Sequence, residues 1–178
     1  MEYNLIATTE RITMSAASSQ LWMNLRAIGD AEPIVNKTRI SGVIQAATEL
    51  DPVQAIHLMR EHMQIDPYRY DKLFRILPIL KWVDTSIEAI VDEVINQKGK
   101  VGEDDTFGVV LEKRRTDLGR LEVIEPVADV FDNEVDLDSP DWVVLIEIMG
   151  KKTGVSIIKP RDMFNVQKER VELSSEAD

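Results

Sequence analysis

Trp142–Met149 reads WVVLIEIM, eight residues that carry a single charge, Glu147, and no glycine or proline. The run is too short to cross a bilayer and too rich in Val and Ile for an exposed segment, so it has to be a strand buried in a core. Asp138, Ser139, Pro140 and Asp141 supply turn chemistry before it, and Gly150 and Gly154 bracket Lys151 and Lys152 after it. Residues 155–158 read as a second strand. The rest of the chain must therefore provide a sheet around these two strands, with a Lys pair at its rim and Lys159 and Arg161 at the next exit.

The elements before this point can be placed by periodicity. Residues 3–9 read as a strand on Leu5 and Ile6, and 15–28 as a helix whose Ala17, Leu21, Leu25 and Ile28 share a face before Gly29. Extended pieces follow at 33–40 and 41–48. Asp51 then caps a helix with Pro52 in its first turn, Val53, Ile56 and Met63 lie on one side, and Asp66-Pro67 ends it. Residues 73–83 read as one strand. Strand, helix, strand, strand, helix, strand is the order of the ferredoxin-like split motif.

Thr85-Ser86-Ile87-Glu88 has the spacing of a capping box, with Thr85 at the N-cap, so a helix starts there and a domain boundary is expected near Asp84. Ile87, Ile90, Val91, Val94 and Ile95 repeat at helical spacing up to Gly99. A strand at 106–111 follows, then a helix marked by Ile124, Val127, Ala128 and Phe131, whose start Pro126 leaves open. The residues after Lys168 are polar and acidic, as in a frayed tail.

Several segments carry a resemblance to a known family. VDLDSPDWVVLIEIMGKKTGVSII resembles the C-terminal signature of the THUMP domain, an RNA-binding module of tRNA-modifying systems. Arg75–Pro78, FGVVLEKRR at 107–115 and residues 124–130 fall in the order and spacing of that family. With MEYNLIATTER and SGVIQAATELDP, the whole chain is similar to short archaeal THUMP proteins akin to the adaptor of tRNA cytidine acetylation. The expected fold class is α+β: a ferredoxin-like domain over 1–84, an α/β THUMP domain over 85–170 and an acidic flexible tail over 171–178.

Composition narrows the chemistry. The 178 residues are 44% hydrophobic and 30% charged, enough for one sizeable core or two small ones. There are no cysteines, so disulfides, thiolate zinc sites and Cys nucleophiles are excluded. No signal-peptide pattern or transmembrane-length run is visible, and a cytoplasmic location is expected. Phosphate loops, dinucleotide fingerprints, zinc-protease motifs and nucleophile elbows are absent, so no catalytic residue, metal, cofactor or small-molecule substrate is expected. His57 and His62, five apart on one helix, lie about 140° apart around its axis and share no metal face.

A net charge of −11 is unusual for a nucleic-acid binder, but the charge is segregated. Residues 121–150 contain no Lys or Arg, whereas Lys113, Arg114 and Arg115 adjoin and Lys151, Lys152, Lys159 and Arg161 fall close together. Arg pairs bidentately with phosphate oxygens and Lys adds a mobile point charge, so these seven are the candidate RNA contacts. Arg75, Lys81 and Trp82 join them at the expected junction. Trp82 is either a stacking platform or a packing residue there, while Trp142 and Phe107 belong to strand runs and the core. The resemblance implies a non-catalytic adaptor whose partners are tRNA and a tRNA-modifying enzyme, an acetyltransferase. The alternatives are an acidic protein-interaction module and the RNA-binding portion of a modification enzyme.

Overall fold

Leu5, Ile6 and Ala7 are all fully buried, which makes β1 (Leu5–Thr8) a central strand rather than a half-exposed one. The computed structural model describes residues 2–177. In it β1 lies between β3 (Val43–Ala47) and β4 (Arg75–Pro78), and β2 (Ile34–Lys37) lies outside β3, giving the order β2-β3-β1-β4 with every pair antiparallel. Helices α1 (Met14–Ala27) and α2 (Pro52–Ile65) complete the ferredoxin-like order. Leu21, Leu25, Ile56 and Met59 from the helices meet Leu5, Ile44 and Ile76 from the sheet. The Asp51 carboxylate accepts the Gln54 amide at 2.9 Å and caps α2. At the end of α1, Gly29 adopts φ 110°, and the amides of Gly29 and Asp30 return to Arg26 and Leu25.

The strand expected over 73–83 is two strands in two different sheets. Pro78 ends β4, having no N–H to offer, and β5 (Lys81–Asp84) begins three residues later in the second sheet. Between them the Leu80 amide donates to Ser156 Oγ at 2.9 Å. The chain accordingly divides into one unit of Met1–Pro78 with Arg161–Asp178 and another of Ile79–Pro160, instead of dividing at Asp84 and 170.

The second unit contains α3 (Ile87–Gln97), β6 (Phe107–Arg114), α4 (Arg120–Ala128), β7 (Trp142–Met149) and β8 (Lys152–Ile158). Its sheet runs β5-β8-β7-β6, with β6 and β7 parallel and the other pairs antiparallel. Residues Val143 to Ile148 are buried without interruption, as the apolar run requires. Ser86, one residue beyond the expected Thr85, is the N-cap of α3 and accepts the Ala89 amide at 3.1 Å. Thr85 bonds the Thr153 hydroxyl instead, at 2.8 Å. Pro126 lies inside α4, whose first turn is held by the Glu122 carboxylate accepting the Gly119 amide at 2.9 Å. Gly154 is required by close packing: a Cβ there would stand 2.9 Å from Ile79.

The C-terminal residues are not a frayed tail up to the last described residue. Phe164 exchanges both backbone hydrogen bonds with Ile76, at 2.9 and 3.0 Å, so it shields the outer edge of β4. Asn165 then caps α5 (Val166–Glu176). This helix is tied down by partners more than by its own pattern: Arg60 Nε donates to Glu169 at 2.6 Å and Arg170 to the Pro67 carbonyl at 3.0 Å. The Arg60 guanidinium also lies 5.0 Å over the Phe164 ring.

Candidate nucleic-acid interface

Parallel pairing of β6 with β7 brings both C-terminal ends to one end of the second sheet, in a register that places Arg114 opposite Met149. The next residue, Gly150, takes φ 68° and donates its amide to the Arg114 carbonyl at 2.9 Å. Lys151 and Lys152 follow, with Lys152 opposite both Met149 and Asp84. The Lys151 carbonyl accepts the Thr85 amide at 2.9 Å, which fixes the turn against the entry to α3. Since α3 follows β5 and α4 follows β6, both helices start at this same end. Two helix N-termini therefore add their positive ends to the lysines.

The basic residues at this end differ in what they can offer. Lys113, Arg115, Lys151 and Lys152 are exposed. Lys113 Nζ donates to the Leu118 carbonyl at 3.0 Å, leaning toward the start of α4. Arg115 takes φ 54°, the left-handed conformation that a side-chain-bearing residue rarely adopts, where the chain turns away from β6. Lys152 lies 2.7 Å from Asp84, but both side chains are mostly exposed, so the pair is weak and open to competition from a phosphate. That hydrogen bond holds the Asp84 carboxyl below its ordinary range.

Arg114 departs from the expected role. Its Nη1 is 2.6 Å from Glu147 Oε2, and the two side chains retain 17% and 1% of their exposure. Glu147, the one charge in the apolar run, needs this counter-ion because an ionised carboxylate in the core is otherwise severely destabilising. Arg114 is thus turned inward and serves the sheet.

Of the other expected contacts in the second unit, Lys159 follows the far end of β8. Lys152 opens β8 and Lys159 comes seven positions later, roughly 23 Å along an extended strand. Lys159 Nζ lies 3.9 Å above the Trp142 ring, whose indole N–H donates to Asp105 at 2.9 Å. The bonds from the Gly102 amide and this indole hold the Asp105 carboxyl below its ordinary range. Lys81 is exposed opposite Val155, and Trp82 is half-buried opposite Gly154. Arg161 belongs to the first unit, where its carbonyl accepts from Arg60 at 2.8 Å. Arg75 is exposed on β4 of that unit, opposite Thr8. Of Lys151, Lys152, Lys159 and Arg161, close together in sequence, the first three belong to the second unit and Arg161 to the first.

Sequence reasoning missed Arg120, which donates to the Leu111 carbonyl at 3.0 Å beside the start of α4, and the role of Ser86 at the start of α3. A Ser one residue after Thr85 was the available signal for the latter. Both histidines are tethers: His57 Nε2 is 2.7 Å from Asp162, and His62 Nδ1 is 2.9 Å from the Tyr70 hydroxyl. Burial lowers the pKa of His62 and raises that of Tyr70. Among the described residues no three His, Cys, Asp or Glu side chains are grouped to hold a metal ion, and no helix is long and apolar enough to cross a membrane.

Residues 84–158 match the family model of the THUMP domain, which coincides closely with the second unit. No curated protein matches the chain in sequence. Among solved structures, the fold is similar to PH1313 from Pyrococcus horikoshii Ot3, with 22% identity and a TM-score of 0.63 over 89% of this chain and 55% of that one. TrmN from Thermus thermophilus matches with 14% identity and a TM-score of 0.57 over 90% of this chain and 47% of that one. A 4-thiouridine synthetase in complex with RNA and bound ATP matches with 14% identity and a TM-score of 0.53 over 89% and 42%. The chain spans about half the length of these structures, and at such identities the likeness is one of fold.

Proposed function

We propose that this chain binds tRNA and acts in tRNA modification. The observation that carries the reading is the gathering of Lys113, Arg115, Lys151 and Lys152 at one end of a sheet, beside two helix starts, within a segment that matches an RNA-binding domain. One structure of similar fold is a synthetase solved with RNA, which supports the same reading. The finer proposal is a non-catalytic adaptor that presents tRNA to a separate modifying enzyme, an acetyltransferase acting on cytidine. The resemblance to the acetylation adaptors supports this, as does the lack of any motif for nucleotide or metal chemistry. Such a protein accelerates a reaction by positioning, which lowers the entropic barrier at another protein's active site.

Titration with tRNA at two salt concentrations tests the binding step. Affinity is expected to fall steeply with salt, and Lys151→Glu with Lys152→Glu to reduce the salt slope by about two. No binding at low salt would refute it. The protein-interaction reading would then gain, on the strength of a stretch, residues 121–147, without Lys or Arg in which Leu121, Val135 and Leu137 are exposed. Mass spectrometry of RNA from deletion cells tests the acetylation step: acetylcytidine is expected to vanish, and loss of another modified nucleoside would redirect the assignment.

A further inference from the structure

Charge is unevenly distributed in the first unit as well as the second. Residues 11–48 contain two, Asp30 and Glu32, against Arg11, Arg26, Lys37 and Arg39, in a chain of net charge −11. Asp30 is buried and accepts the Thr48 hydroxyl at 2.6 Å, so it contributes little to the surface. This stretch forms α1, β2 and β3, which makes their side of the unit locally basic.

A shallow groove runs along that side between α1 and the edge strand β2, lined by Ser18, Ser19, Trp22, Met23 and Val35. Trp22 and Met23 keep 45% and 47% of their exposure, and Ile34 on the strand keeps 43%. Ser15, Ser19, Trp22 and Arg26 follow one another at four-, three- and four-residue steps and so form one helix stripe. Lys37 Nζ donates to Ser15 Oγ at 3.0 Å, which places an ammonium at the first turn. Arg26, in the last turn, lies 5.8 Å from the Trp22 ring centre. Ser15 and Arg26 are eleven positions apart on the helix, an axial rise of about 16 Å, and Trp22 lies between them. The hydroxyls of Ser18 and Ser19 donate back into their own helix and keep lone pairs for an incoming donor.

We propose that this α1–β2 groove is a second RNA contact, which stacks an unpaired base on Trp22 and holds the flanking phosphates with Lys37 and Arg26. The inference rests on the RNA-binding reading and adds to it a preference for single-stranded nucleotides. A flat aromatic face between cations is what unpaired bases take up, whereas paired bases are stacked on each other and have no face to offer. The serine lone pairs suit 2′-hydroxyl and amino donors. A second copy of the chain fits the same surface less well, since a two-fold contact would set like charges against each other.

The test is titration of the full chain with a short labelled single-stranded RNA and with tRNA, followed by sedimentation. Trp22→Ala is expected to weaken the single-stranded RNA roughly 5- to 150-fold. Trp22→Phe, which keeps a stacking face, restores most of that loss, and Arg26→Glu with Lys37→Glu reduces the salt slope without moving the unfolding midpoint. Unchanged affinity in Trp22→Ala, with loss in Lys151→Glu and Lys152→Glu, overturns the groove and leaves the RNA-binding reading standing. A concentration-dependent dimer that Trp22→Ala abolishes, with RNA affinity intact, assigns the surface to a second copy. A wild-type chain that binds neither RNA defeats both.

Discussion

Arg114→Met isolates the pair that joins β6 to the buried run of β7. Methionine keeps most of the stem length but leaves Glu147 Oε2 without the Nη1 donor at 2.6 Å, on a side chain only 1% exposed. Breaking a buried pair from one side typically costs about 3–5 kcal/mol, because a carboxylate stays behind in the core. For a chain of this size each kcal/mol moves the midpoint by roughly 2–4 °C, so Tm is expected to drop by roughly 6–20 °C. Adding Glu147→Leu removes the stranded charge and is expected to recover most of that loss, since apolar replacements of such pairs are often neutral or better. Circular dichroism melts and urea titrations of the single and double variants measure this. If Arg114→Met melts within a degree of the wild type and tRNA affinity falls instead, Arg114 is a phosphate ligand and the inward assignment is wrong.

Three further outcomes are expected. Phe164→Ala should destabilise the first unit by about 3–5 kcal/mol in urea, through the cavity left beside Tyr70 and Arg60; a change under about 1 kcal/mol would mean that the C-terminal return carries little of the core. Gly154→Val should destabilise the second unit, because a Cβ 2.9 Å from the Ile79 side chain forces that side chain to move; a wild-type urea midpoint would show that Ile79 yields freely. His62 lies below its ordinary pKa of 6.5, chiefly through burial, so the unfolded chain binds its proton first and stability falls as pH drops below about 6.5. His62→Gln is expected to flatten that part of the pH–stability curve, and an identical slope in the variant would rule the histidine out.

The ferredoxin-like order was legible because each of its helices has a periodic apolar face and a stop signal, Gly29 for α1 and Asp66-Pro67 for α2. The change of sheet at Pro78 was not, since Ile76 to Leu80 is one apolar run and its residues read alike whichever sheet they join. Charge was visible but its geometry was hidden. Lys152 and Lys159 are near neighbours in sequence, yet an extended strand holds them at opposite ends of a sheet. Glu147 stood out as the only charge in its run, while its partner became evident only from the parallel register that sets Arg114 one strand away. The groove on the first unit escaped notice for the converse reason: Arg26 and Lys37 lie on different elements and are brought to one side by the packing of α1 on β2.

The discontinuous first unit has a consequence for the order of events in folding. Ile76 cannot meet Phe164 until the whole of the second unit has been made, and closing an unstructured loop of roughly 90 residues costs on the order of 4 kcal/mol of chain entropy. The intervening unit is continuous, and its own entry and exit, β5 and β8, pair with each other, Lys81 against Val155. Once folded it therefore acts as a staple that replaces the long loop with a few residues of slack. The dependence runs one way. A lesion at Gly154 or Glu147 would reopen the loop and slow completion of the first unit, whereas a lesion at Phe164 would leave the second unit free to fold as soon as its last strand is made.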